Sequence, residues 1–168
     1  SNESRGGPRA TLPAMSPKVS ESSAPRPRGR PGKSRPGLLD AAIAEFAEKG
    51  YEGATTAGIA RRARSNQPLV HHHFGTKEKL FHLVLDELFA ELERAILPQP
   101  GESLDVRALV RRFVLHTAKR PELARIWVIE SGRGGKHADY MLDKHVRPLT
   151  ERIIAVLAVA ALGYATSE

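Results

Sequence analysis

Three sets of residues have types and spacings that suit chemistry. In the first, Arg28 and Arg30 flank Gly29 between Pro27 and Pro31. Proline keeps such a backbone extended, glycine lets it approach a surface closely, and two guanidiniums suit the deep negative potential of a narrow nucleic-acid groove. The second set is Arg61, Arg62 and Arg64, then Asn66, Gln67, Pro68 and Leu69, then His71, His72, His73 and Lys77, with Thr56 upstream. A glutamine amide can donate to and accept from one adenine, proline or leucine carbons can meet a thymine methyl, and cations and hydroxyls suit phosphates. The third set is Arg112, His116, Trp127, Glu130, Tyr140, Met141 and His145. These polar or polarisable groups sit among apolar ones, as a small-molecule pocket between helices requires.

Catalysis and metal binding find little support by comparison. Adjacent histidines on a helix point about 100° apart and cannot chelate one ion. None of His71, His72 and His73 has a His, Asp or Glu four residues further on. The chain has no cysteine, so it offers no disulfide, thiolate zinc site or thiol nucleophile. No phosphate loop, nucleophile elbow or acid–base pair at catalytic spacing occurs either. The expectation is a protein that is not an enzyme and uses no cofactor or metal.

Charge separates the chain into two parts. Over 168 residues the net charge is +7, but residues 1–35 carry eight basic and two acidic side chains, leaving +1 for the rest. A basic arm on a nearly neutral body points to a polyanionic partner. Seven of the twelve prolines fall within residues 1–36, with few large apolar side chains, so this arm is expected to be disordered when alone. No apolar stretch follows the N-terminal charges, and the longest apolar run, Ile153 to Leu162, is too short to cross a bilayer. A cytoplasmic protein without a membrane segment is expected.

The elements that must position these residues are helical. Leu39, Ala42, Ile43, Phe46 and Ala47 recur at helical spacing, and Gly50 is placed to end that helix. Thr55 or Thr56 can cap a short helix to about Arg62, and Arg64-Ser65-Asn66 makes a turn. Asn66 can cap a second short helix with Pro68 in its first turn, and Thr76 caps a long one with an apolar stripe from Leu80 to Ile96. Further stretches are predicted at about Ser103–Lys119, Pro121–Glu130 and Lys136–Gly163, the last kinked or broken at Pro148. Seven helical stretches and no alternating pattern make an all-α chain.

The run Ala41-Ala42-Ile43-Ala44-Glu45-Phe46-Ala47-Glu48-Lys49-Gly50-Tyr51-Glu52-Gly53-Ala54-Thr55-Thr56, then Ile59-Ala60-Arg61-Arg62-Ala63 and His71-His72-His73-Phe74-Gly75-Thr76-Lys77-Glu78-Lys79-Leu80, resembles the TetR (tetracycline-repressor-like) family of bacterial transcription regulators. The resemblance implies a helix-turn-helix domain over residues 36–82 and a helical effector-binding and dimerisation domain over 83–168, behind the basic arm of 1–35. It places the second motif helix in a DNA major groove, with Asn66, Gln67, Pro68, Leu69, His71 and His73 toward base edges. Thr56, Arg61, Arg62, Arg64, His72 and Lys77 would then serve phosphates. Pro27-Arg28-Gly29-Arg30-Pro31 is similar to the AT-hook core, a minor-groove arm. This chain has Arg64-Ser65-Asn66 where the family favours Gly-Val-Ser, and His71 where it favours Tyr, so either Arg64 accepts a left-handed conformation or the turn differs slightly. The family carries about nine helices, the last two forming a dimeric bundle; either such helices are missing here or the Ile153–Leu162 helix dimerises.

The expected function is that of a homodimeric repressor on a palindromic operator, released by a small-molecule effector. The alternative is an architectural DNA binder with little sequence preference, its affinity supplied mainly by the arm.

Overall fold

The structure, a computed structural model, describes residues 34–99, 102 and 105–165, and every regular element among them is helical. The Arg28-Gly29-Arg30 stretch lies outside the described residues. Helix α1 (Arg35–Gly53) starts at Ser34, whose hydroxyl accepts from the Gly37 N–H. It is broken where expected, at Gly50, which has φ +68° and ψ −177°. A Cβ there would stand 2.5 Å from Ile129 Cγ2 and 2.8 Å from Glu130 Oε1, so both the torsion and the packing require glycine.

Local capping sets the next three elements. Thr55, rather than Thr56, caps α2 (Thr56–Arg62) by accepting from Gly58 N–H at 2.9 Å. Asn66 caps α3 (Gln67–Phe74) by accepting from Leu69 N–H at 2.9 Å. Between them Arg64 sits at φ +50°, the left-handed conformation that a glycine would adopt without strain. Thr76 caps α4 (Lys77–Ile96) through the Lys79 N–H.

The C-terminal elements shift at their ends. Helix α5 (Val106–Lys119) starts later than Ser103 because Asp105 supplies the cap, accepting from Ala108 N–H at 2.6 Å. Helix α6 (Glu122–Arg133) runs past Glu130 to stop at Gly134, which takes φ +68°. The final predicted helix is α7 (Lys136–Met141), a π turn (Leu142–Val146) and α8 (Arg147–Ala165) in unbroken succession. Pro148 therefore does not break the helix. Its ring collides with the carbonyl of an ordinary preceding turn, and widening that turn to π geometry absorbs the conflict.

One core joins α1 to α4. Leu38, Phe46, Ile59, Val70, Leu80, Phe81 and Leu85 are all essentially inaccessible, and the Phe46 and Phe81 rings meet edge to face at 4.9 Å. This core extends along α4 through Leu88, Leu92 and Ile96 to Ile126 of α6, Met141 of α7 and Leu149 of α8. Helix α5 contributes no fully buried residue. No helix among the described residues is long and apolar enough to cross a membrane.

Candidate nucleic-acid interface

The turn and the short helix α3 expose a contiguous set of candidate residues. Arg64, Asn66, Gln67, Pro68, His71 and His72 are exposed, and Leu69 is half-buried. Val70 and Phe74 hold the opposite face of α3 in the core. The helix is thus fixed on one side and open on the other.

The open side is organised by hydrogen bonds. Gln67 Nε2 donates to Thr56 Oγ1 at 2.9 Å, while His71 Nε2 lies 3.4 Å from both of those atoms. His71 Nδ1 is 2.9 Å from the carbonyl oxygen of Gly75. A carbonyl can only accept, so Nδ1 carries the proton and Nε2 of the neutral ring is left to accept. Thr56, Gln67 and His71 therefore form one network: with the single lone pair of His71 Nε2 taken by the Thr56 hydroxyl, the Gln67 amide is held by one N–H, the one on Thr56 Oγ1. Its other N–H and its carbonyl oxygen are the pair that an adenine edge needs.

Two of the expected phosphate ligands have other partners. Arg62 donates to Glu45 Oε2 from Nε and Nη2 at 3.2 and 3.1 Å, and to Glu48 at 2.5 Å, which ties α2 to α1. Glu45 is only 2% exposed; burial opposes its charge, but Lys49 and Arg62 outweigh that and hold its pKa below the ordinary carboxylate value. Lys77 is turned inward: its Nζ donates to the carbonyls of Tyr51 and Ala54 at 2.9 and 3.1 Å and lies 4.3 Å from the Tyr51 ring centroid. It closes the end of α1, so the phosphate role expected of it gives way to a structural one. His73 is half-buried against Phe74.

The predicted pocket residues scatter. A cavity of about 360 Å³ lies between α4, α5, α6 and α8, with Phe89, Leu92, Phe113, Leu123 and Leu149 among its walls. His116 and Trp127 line it, as expected. Arg112 instead donates to Glu102 and to the Leu97 carbonyl. Glu130 Oε1 accepts from the Tyr51 N–H at 2.8 Å, satisfying a donor freed by the break at Gly50. Met141 is buried in the core. Tyr140 and His145 both bond Asp86 Oδ1 at 2.9 Å, and Lys144 joins them. Asp86 is thus a hub between α4 and the α7–π turn segment, and sequence reasoning did not single it out. Thr117, Thr150 and Arg120 add the other polar groups of the cavity wall, and Arg120 is also paired with Glu91 at 2.9 Å. Of these only Arg120 carried a sequence signal, four residues beyond His116 and so close to its helical phase.

A short capped helix, a left-handed turn and a second helix offering an oriented amide make a helix-turn-helix motif. Residues 38–84 match the family of bacterial regulatory proteins described as the tetR family. The chain is 30% identical over 131 residues to the HTH-type transcriptional repressor NicS of Pseudomonas putida, covering 74% of this chain and 60% of that protein. It is 32% identical over 96 residues to the HTH-type transcriptional repressor SCO4008 of Streptomyces coelicolor, covering 57% and 48%. The chain therefore spans about half to three-fifths of the length of these relatives. Among solved structures, SCO4942 from Streptomyces coelicolor is similar at 26% identity and TM-score 0.56, over 77% of this chain and 64% of that one. A HlyIIR mutant protein shares the fold at 22% identity and TM-score 0.57, over 72% and 66%.

Proposed function

We propose that the chain is a sequence-specific transcriptional repressor that binds an operator as a homodimer. The observation that carries this reading is the exposed face of α3, where Thr56 and His71 orient the Gln67 amide. In this reading Gln67 reads adenine, Pro68 and Leu69 meet thymine methyls, and Asn66, His71 and His73 border them. Arg61, Arg64 and His72 serve phosphates, and Arg28-Gly29-Arg30 enters the adjacent minor groove. Similarity to two proteins named as repressors supports the direction of regulation.

The cavity supports a small-molecule effector. Its volume falls within the range of ordinary ligand sites, about 300–1,000 Å³, and its walls are mostly apolar with His116, Thr117 and Arg120 at intervals. The effector class that fits is a small apolar molecule with few polar groups. Because α4 forms one wall and also carries Thr76 and Lys77 beside α3, filling the cavity would tilt the recognition helices of a dimer relative to each other. Effector and operator would then weaken one another reciprocally. This organisation assigns residues 36–82 to DNA and 83–168 to sensing and dimerisation, although α4 crosses that boundary without interruption.

The test is removal of residues 1–35, with binding measured on an operator selected from random duplexes and on a scrambled duplex. A repressor keeps its preference for the operator and loses affinity for both. Loss of nearly all binding, with no preference remaining, would instead favour the architectural reading.

A further inference from the structure

A second cluster lies away from both the DNA-facing surface and the cavity. Glu78 and His82 are four residues apart on α4, hence on one face, and His137 of α7 packs against them. One ligand atom from each residue lies within 4.8 Å of the others. His137 is 6% exposed, and neither of its ring nitrogens has a hydrogen-bond partner. A buried imidazole with both nitrogens unsatisfied is costly, and a missing ion is one of its ordinary explanations.

We propose that Glu78, His82 and His137 form a site for a divalent transition-metal ion, zinc(II) by preference, that bridges α4 to α7. Two neutral imidazoles and a carboxylate are a borderline donor set that suits Zn²⁺, Co²⁺ or Ni²⁺ better than Mg²⁺ or Ca²⁺. Tetrahedral zinc bonds of 2.0–2.1 Å place donor atoms about 3.4 Å apart, so no pair in the cluster need contract by more than about 1.4 Å. Water would complete the coordination.

The surroundings suit such a site. His137 is buried and His82 half-buried, so a bound ion would be largely shielded from solvent. The rings are also oriented: His82 stacks on Tyr140 at 3.8 Å, and His137 packs against Tyr51 at 3.9 Å and Phe81 at 5.1 Å. Glu78 is at present paired with the ammonium of Lys136 at 2.7 Å. Lys136 is mostly exposed and can swing away, so a cation already occupies the carboxylate and a metal ion would displace it. The ion would then lock the N-terminal half of α4, next to α3, onto α7. That consequence for DNA rests on the repressor reading; the site does not.

The test is titration of the full chain with Co²⁺, followed by its visible absorption, and with Zn²⁺, followed by melting temperature. The proposal predicts tetrahedral cobalt bands and a higher melting temperature with zinc. Affinity should fall at least about ten-fold in His82→Gln and in Glu78→Gln, two substitutions at half-buried positions that leave the core in place. Lys136→Ala should bind the metal more tightly, and the control His72→Ala/His73→Ala should bind unchanged. Absence of cobalt bands, or binding unchanged in His82→Gln and lost in the histidine-run control, would overturn it. Operator affinity with and without zinc separates the two claims. A metal-dependent change supports the coupling, an unchanged affinity overturns the coupling alone, and metal binding without operator binding removes the repressor reading while the site stands.

Discussion

The two ends of this molecule use apolar residues in opposite ways. Around α1 to α4 the large side chains are enclosed: Leu38, Phe46, Ile59, Leu80 and Phe81 are at most 1% exposed. In α5, α6 and α8, Phe113 is 47%, Val128 69% and Val159 70% exposed, and Val106, Val110, Val114, Ile154 and Leu162 are also open. The first arrangement makes a rigid platform that presents a few polar atoms at fixed positions. The second leaves apolar surface around a cavity, suited to meeting a ligand or a second copy of the chain. Rigidity serves base reading, where an atom displaced by an ångström loses its hydrogen bond, whereas sensing needs a part that can repack.

The contrast is broken most directly by truncating matched aromatic residues. Phe46→Ala should cost about 3–5 kcal/mol in chemical denaturation, whereas Phe113→Ala should cost less than about 1 kcal/mol. Equal losses would show that the two ends are packed alike. A smaller effect is expected at the seam between α1 and α6. Gly50→Ala forces a β-carbon toward Ile129 and Glu130 at a positive φ, so a loss of about 1–3 kcal/mol should appear in the same measurement.

Acid should separate the ends as well. Burial, opposed by Asp86, leaves the His145 imidazole pKa lowered, so the unfolded chain binds more protons there than the folded one. Its contribution is complete above the ordinary imidazole range near pH 6.5 and is lost as pH falls below it. The Glu45 pKa is lowered despite burial by Lys49 and Arg62, so its contribution persists until pH falls below the ordinary carboxylate range. Hydrogen exchange followed from pH 7 downward should therefore show the π turn and α8 loosening before α1 and α2. The smallest expected effect is that of Arg64→Gly, which relieves the left-handed strain at φ +50° and should raise stability by about 1 kcal/mol or less.

How much of this was legible in the sequence depended on the range of the interactions. Caps are local: Thr55, Asn66 and Thr76 each bond an N–H three residues on, so the starts of α3 and α4 could be read directly, that of α2 to within one residue, and the left-handed Arg64 as one of two alternatives. The link between Thr56, Gln67 and His71 was not, although each was singled out, because it depends on how α2 crosses α3. The pocket residues fared worst for the same reason. Glu130 serves an N–H 79 residues away, and Tyr140 and His145 serve an aspartate 54 and 59 residues away. Nothing in their spacing distinguishes those duties from lining a cavity. Glu78 and His82 stood at ligand spacing on one helix, but the third member lies 55 residues further along the chain, at His137.

The central claim is that sequence choice resides in the Gln67 amide presented by α3. It is tested most directly by measuring, at one salt concentration, the affinity of the parent chain and of Gln67→Ala for a selected operator and for a scrambled duplex. The predicted result is a loss of preference of about 5- to 150-fold, equivalent to about 1–3 kcal/mol, with the melting temperature and the scrambled-duplex affinity unchanged. A preference unaltered in Gln67→Ala would contradict the claim.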